Sequence, residues 1–199
     1  MRVFTLHKPP NEYSSNVYYI LGDWNTIPDI NTLIDVGPND YILLELATFN
    51  SGVGKKKVEK IILTHEHFDH AAGLKYLVPL YNPKVYGFSY NLLNVEPFVD
   101  NMKVQIGDRI ATLIHTPGHS NDSIAIYVEE DGVLFSGDTM LSINTYGDTY
   151  TQDFLHTIKK ITELDLKIIY PGHGDPITNN IKEMLTTTLN IVSDSKIIA

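Results

Sequence analysis

The chain has 199 residues, 43% of them hydrophobic, and a formal net charge of −9, which suits one domain over 1–199 able to bury its own core. With no cysteine, it is excluded from disulfides, thiolate metal sites and cysteine nucleophiles. The acidic balance, with no basic run longer than the short patch "GKKKVEK" (54–60), disfavours a nucleic-acid partner.

The opening "MRVFTLHKPPNEY" has no apolar core of the kind a signal peptide carries, and no segment approaches the ~20 apolar residues of a membrane span. The expectation is a soluble cytoplasmic protein acting on a small molecule, with the oligomeric state left open. In chain order, "VYYIL" (17–21) reads as a strand ending at the turn-like "GDWN", and "TLIDVG" (32–37) as a second. "YILLELATFN" (41–50) has helical spacing at Ile42, Leu43, Leu46 and Phe49. "KIILT" (60–64) is a continuous apolar run, as in a strand buried on both faces. A short helix over "HAAGLKYL" follows, with Asp69 at its start.

"KVYGF" (84–88), "ATLIHT" (111–116), "SIAIYV" (123–128) and "GVLFSGD" (132–138) are further strands. A helical stripe at 154, 155, 158, 161 and 164 marks residues 151–164, and "KIIYPGHGD" (167–175) is a buried strand running into a loop. Residues 178–196 read as a closing helix, capped by Thr178 or Asn179. "KIILTH" and "KIIYPGH" are alike, which suggests two similar halves that each deliver ligands from strand ends.

The seven residues "THEHFDH" (64–70) concentrate His65, His67, Asp69 and His70 directly after an apolar strand. In an extended stretch His65 and His67 project from one face, because side chains alternate. Asp69 and His70 follow as the chain turns into a helix, so one segment can feed two adjacent sites. His119 in "HTPGHS", Asp138 in "FSGDT" and His173 in "YPGHG" add nitrogen and oxygen donors, each in a glycine-containing turn after an apolar strand. His115 reads as structural, His156 as solvated, and Tyr146 and Tyr150 as candidates to line a substrate cleft.

These turns and the "HxHxDH" core resemble the metallo-β-lactamase-fold superfamily, over nearly the whole chain and in the family's order. The resemblance implies a four-layer αββα sandwich of the α+β class and two divalent metal ions. It assigns His65, His67 and His119 to the first ion, Asp69, His70 and His173 to the second, and Asp138 to a bridge. Asp35, ending an early strand in "LIDVG", matches the family's first motif and would orient a ligand. With N and O donors only, Zn²⁺ is the default, and Fe or Mn would also be accepted.

Departures narrow the activity. Asp138 stands where the commonest β-lactamases carry Cys, His67 where diiron relatives carry Glu, and Leu141 where acyl-homoserine lactonases carry Tyr. The turns look most like those of hydroxyacylglutathione hydrolases (glyoxalase II) and a mitochondrial endoribonuclease of this fold, whose chains continue into a further C-terminal part. The leading expectation is hydrolysis of a small thioester, ester or lactone by hydroxide poised between two cations, with Asp69 as the catalytic proton carrier. The alternatives are phosphodiester cleavage and a mononuclear iron dioxygenase of the persulfide dioxygenase type, which shares "HxHxDH" and "TPGH".

Overall fold

A computed structural model describes residues 1–88 and 95–198. The first half builds a six-stranded sheet in sequence order from β1 (Arg2–Leu6), β2 (Val17–Leu21), β3 (Thr32–Ile34), β4 (Lys60–Ile62), β5 (Lys84–Gly87) and β6 (Glu96–Pro97). Strands β1 to β3 pair antiparallel and β3 to β6 parallel. The parallel part needs crossovers, supplied by α1 (Tyr41–Thr48) before β4 and by α2 (Phe68–Ala71) and α3 (Leu74–Tyr81) after it.

The second sheet is an antiparallel meander of β7 (Met102–Ile106), β8 (Arg109–His115), β9 (Ile124–Val128) and β10 (Val133–Gly137). After the small strand β11 (Thr149–Thr151) and helix α4 (Gln152–Thr162), β12 (Ile168–Pro171) joins β10 in parallel. Helix α5 (Ile181–Asp194) leads to β13 (Lys196–Ile198), which pairs with β11.

Alternation along buried strands makes the layers. Tyr18 and Ile20 face the second sheet and pack with Ile34, Ile62, Leu113, Ile126 and Phe135. Val17, Tyr19 and Leu21 point the other way, onto Ile42 and Leu46 of α1 and Leu77 of α3. On the far side Leu134 and Ile169 meet Ile158 and Ile161 of α4 and Leu185 of α5. The result is the expected αββα sandwich. Each fully buried Ile, Leu or Phe contributes about 1.5–3 kcal/mol, so these three cores carry the fold. Among the described residues no helix is long and apolar enough to cross a membrane.

Several elements differ from the sequence-based expectation. Strands β1, β6, β7, β11 and β13 are not signalled by apolar runs: β7 is interrupted by Lys103 and Gln105, and β11 pairs with a strand 47 residues away, Tyr150 opposite Ile197. Helix α1 stops at Thr48 rather than residue 50, because Phe49 turns extended and packs edge-on against Phe4 and Tyr19. The helix after Asp69 is two pieces, broken where Gly73 N–H donates to Gly37 O (2.8 Å). Neither Thr178 nor Asn179 caps α5: the helix begins at Ile181, and Asn180 holds the cap position in a left-handed conformation, φ 53°.

The loops that follow β3, β4, β8, β10 and β12 hold Asp35, residues 64–70, His119, Asp138 and His173, and they meet at one edge of the sandwich.

Candidate metal centre

Three donor groups gather at that edge: His65, His67 and His119; His65, His70 and Asp138; and Asp69, His70 and His173. Within each, the donor atoms lie within 4.8 Å of one another, close enough to hold a metal ion. All seven residues singled out by the sequence motifs are therefore brought together. His65, Asp69 and His70 are buried and form the floor, whereas His67, His119 and His173 are exposed at the mouth.

Local structure explains the aim of each side chain. His67 is extended (φ −61°, ψ 148°) at the N-terminal cap of α2, so His65 and His67 share one face before the helix swings Asp69 and His70 to the other side. His67 Nδ1 and His119 Nε2 are 3.0 Å apart, and the His65 and His70 rings lie 4.1 Å apart, centroid to centroid. Asp138 reaches both ends of the cluster. Its Oδ1 is 3.3 Å from His70 Nε2, and its Oδ2 is 3.5 Å from His173 Nε2 and 3.7 Å from His119 Nε2. Asp69 Oδ2 is 3.1 Å from His173 Nε2. Gly172 permits the approach, since a Cβ there would fall 2.1 Å from Asp138 Oδ1.

Asp35 lies beneath the cluster, 2% exposed and in the left-handed region at φ 57°. Its Oδ1 accepts from Thr64 N–H (2.8 Å), and its Oδ2 accepts from Thr64 Oγ1 (2.8 Å) and meets His70 Nδ1 at 2.8 Å. That contact leaves His70 Nε2 aimed into the donor cluster. A strained non-glycine conformation held by three polar contacts marks a place where geometry matters more than local comfort.

The electrostatics are opposed within a few ångströms. Burial, aided by the neighbouring His70 charge, pushes the His65 imidazole down to about 4. Burial also pulls on His70, but Asp35 and Asp138 outweigh it and raise this imidazole to about 10. Burial acts to raise the Asp138 carboxyl, yet His70, His173 and His65 hold it down to about 2. Burial lowers His119.

Four buried atoms of the cluster make no well-formed hydrogen bond: His65 Nε2, Asp69 Oδ2, His70 Nε2 and Asp138 Oδ1, the last three having only the ion-pair contacts between imidazole and carboxylate. Leaving such groups unsatisfied costs about 1–3 kcal/mol each. All four belong to the donor groups, and an imidazole and carboxylate donor set is what a divalent cation satisfies. The residues fit a metal.

The metallo-beta-lactamase superfamily model matches residues 10–104 and 86–173. The chain belongs to the metallo-beta-lactamase superfamily. It is 29% identical over 152 residues to an atrochrysone carboxyl ACP thioesterase of Aspergillus fumigatus, covering 74% of this chain and 48% of that relative. It is 34% identical over 148 residues to a hydroxyacylglutathione hydrolase of Francisella tularensis subsp. novicida, covering 70% and 57%. Among solved structures, ETHE1 from Myxococcus xanthus superposes with a TM-score of 0.73 at 22% identity, over 98% of this chain and 86% of that one. The chain spans about half the length of these curated relatives. Members of the superfamily are mostly metal-dependent hydrolases that use divalent ions.

Beyond this metallo-beta-lactamase core, the two candidate cleft residues part company. Tyr150 lines a cavity that includes His119, while Tyr146 is 69% exposed and lies outside that lining. His115 acts locally: its Nε2 pairs with Asn121 O (2.9 Å), and its backbone N–H donates to Asp100.

Three residues near the centre carry no sequence signal. Tyr13 stacks on His173 (5.8 Å between centroids, 29° between planes) and is 76% exposed. Ser15 Oγ donates to Asp69 O (2.7 Å). Asn16 donates from its backbone N–H to Gly172 O (2.6 Å) and from its Nδ2 to Pro171 O (3.0 Å) and Gly174 O (2.7 Å). Ser15 and Asn16 thus clamp the turns that carry Asp69 and His173, contacts that only the closed sandwich creates.

Proposed function

We propose that the protein is a two-metal hydrolase of a small thioester, ester or lactone. The observation that carries this reading is the convergence of seven ligand-type side chains, four of whose buried atoms make no well-formed hydrogen bond. His65, His67 and His119 would hold one ion, and Asp69, His70 and His173 the other. The reach of Asp138 toward His70, His119 and His173 supports its role between them. Zn²⁺ is the default ion, with Fe or Mn as other occupants suited to imidazole and carboxylate. When bound, such ions acidify water to supply a nucleophile near neutral pH and stabilise negative charge on a substrate oxygen.

The chain's own groups do the rest. Asp35 fixes the orientation of His70 through Nδ1. Asp69, buried and 3.1 Å from His173, would carry a proton to the leaving group on the carboxylate oxygen left free of the ion. A thioesterase and a hydroxyacylglutathione hydrolase among the relatives favour acyl transfer to water. The net charge of −9 works against a phosphate polymer as substrate.

The test is one panel: Zn²⁺, Mn²⁺ and Fe²⁺ forms against hydroxyacyl-glutathione thioesters, aryl esters, lactones, bis-aryl phosphodiesters and single-stranded RNA. Acyl turnover lost in His67→Ala is expected. RNA cleavage alone, or oxygen uptake by the iron form alone, would overturn the proposal.

A further inference from the structure

A cavity of about 360 Å³ opens beside His119, at the mouth of the donor cluster. Met140, Tyr150 and Phe154 give it one apolar wall, with Tyr150 stacked on Phe154 at 5.4 Å and 25°, while His119, Thr149 and Thr151 add polar atoms. Phe154 is seated against Gly118, where a Cβ would meet its ring at 2.4 Å, so the wall depends on that glycine. Tyr150 is fixed at one end by β11, which pairs with β13. Its hydroxyl donates to Asp148 Oδ2 at 3.4 Å, which sets a carboxylate at the rim. Among the described residues no Lys or Arg lines the cavity.

We infer that this cavity receives a flat apolar group of the substrate, and that Asp148 biases it against a negative charge on that group. The aromatic wall supplies area for a ring. Asp148 is the one carboxylate among the described lining residues, so it disfavours an anionic occupant and favours an ammonium-bearing one, on top of the pull of any ion held by His119. The inference rests on the acyl-hydrolase reading for treating the occupant as part of a substrate. It runs against an anionic conjugate such as a glutathione moiety occupying this side of the centre. Asp148 is exposed, so its effect is modest: a unit charge about 5 Å away in a water-like medium changes affinity about fourfold.

The test uses binding rather than turnover. The metal-loaded protein is titrated with benzyltrimethylammonium, benzyl alcohol and benzylsulfonate, matched in their ring and differing in charge. Asp148→Asn, an exposed change outside the donor cluster, should raise sulfonate affinity and lower ammonium affinity about fourfold each at low salt, less at high salt, and leave the alcohol unchanged. Reading each probe as a variant-to-wild-type ratio cancels the pull of the ions on it. Tyr150→Ala should weaken all three probes. Unchanged affinities for both charged probes in Asp148→Asn, indifference to Tyr150→Ala, or no binding up to about 20 mM would each overturn the inference. Failure of the hydrolase reading shows separately, as absent acyl turnover, and leaves these ratios readable.

Discussion

Asp35→Asn removes one charge and keeps the shape. Asn tolerates the left-handed backbone at φ 57°, so the change is not confounded by new strain. One side-chain oxygen survives and can still accept from Thr64 N–H. The other becomes an NH₂ group facing Thr64 Oγ1 and His70 Nδ1, both at 2.8 Å. Two contacts to a charged acceptor are lost in a site 2% exposed. At about 1.5–3 kcal/mol each, partly recovered by loss of the His70 Nδ1 proton and rotation of the Thr64 hydroxyl, the net loss should be ~2–4 kcal/mol. For a domain of this size that is a fall in Tm of about 4–16 °C. Metal affinity should fall about 10–100-fold, because His70 loses the partner that fixes its orientation. Thermal unfolding and a competition titration against a chelator read the two effects. A variant with wild-type Tm and wild-type affinity would refute the claim that Asp35 orders the centre through His70.

Other changes have distinct signatures. Asp138→Ala should lose metal from at least one site by elemental analysis, and full two-metal occupancy would contradict its place between the ions. Asp69→Asn should lower kcat ~10²-fold on a hydrolysed acyl substrate while some metal remains, and an unchanged kcat would show that Asp69 moves no essential proton. Burial, with Lys84 nearby, pushes the Lys60 ammonium from 10.5 down to about 8, so between those pH values the unfolded chain binds more protons and folding stability rises with pH. Lys60→Met should flatten that rise in denaturant unfolding at pH 7.5 to 10.5, and an equal slope in both proteins would show that the buried ammonium is not its source.

What could be read from the chain follows from how local each signal is. "VYYIL" and "KIILT" announce buried strands because both faces are covered, and so the apolar run is continuous. His65, His67, Asp69 and His70 sit in one short segment, and their chemistry is legible there before any folding. His119, Asp138 and His173 are legible through the glycine turns that deliver them. The contribution of Asn16 is not, because it bonds to Pro171 O across 155 residues of sequence. Strand β1 is buried only at Leu6 and otherwise exposed or partly buried at a sheet edge, and the three-residue strands β11 and β13 exist only through each other. Tyr13 looks like any loop aromatic until the fold stacks it on His173. The separation of Tyr150 from Tyr146 depends on β11, which holds one in the cavity wall and leaves the other outside it.

If seven side chains form one centre for two ions, the protein reconstituted with excess Zn²⁺ and freed of unbound metal should hold about two metal ions per chain by elemental analysis, since seven ligands plus solvent fill two sites of four or five. Saturation at one ion, or at none, would contradict a shared two-ion centre.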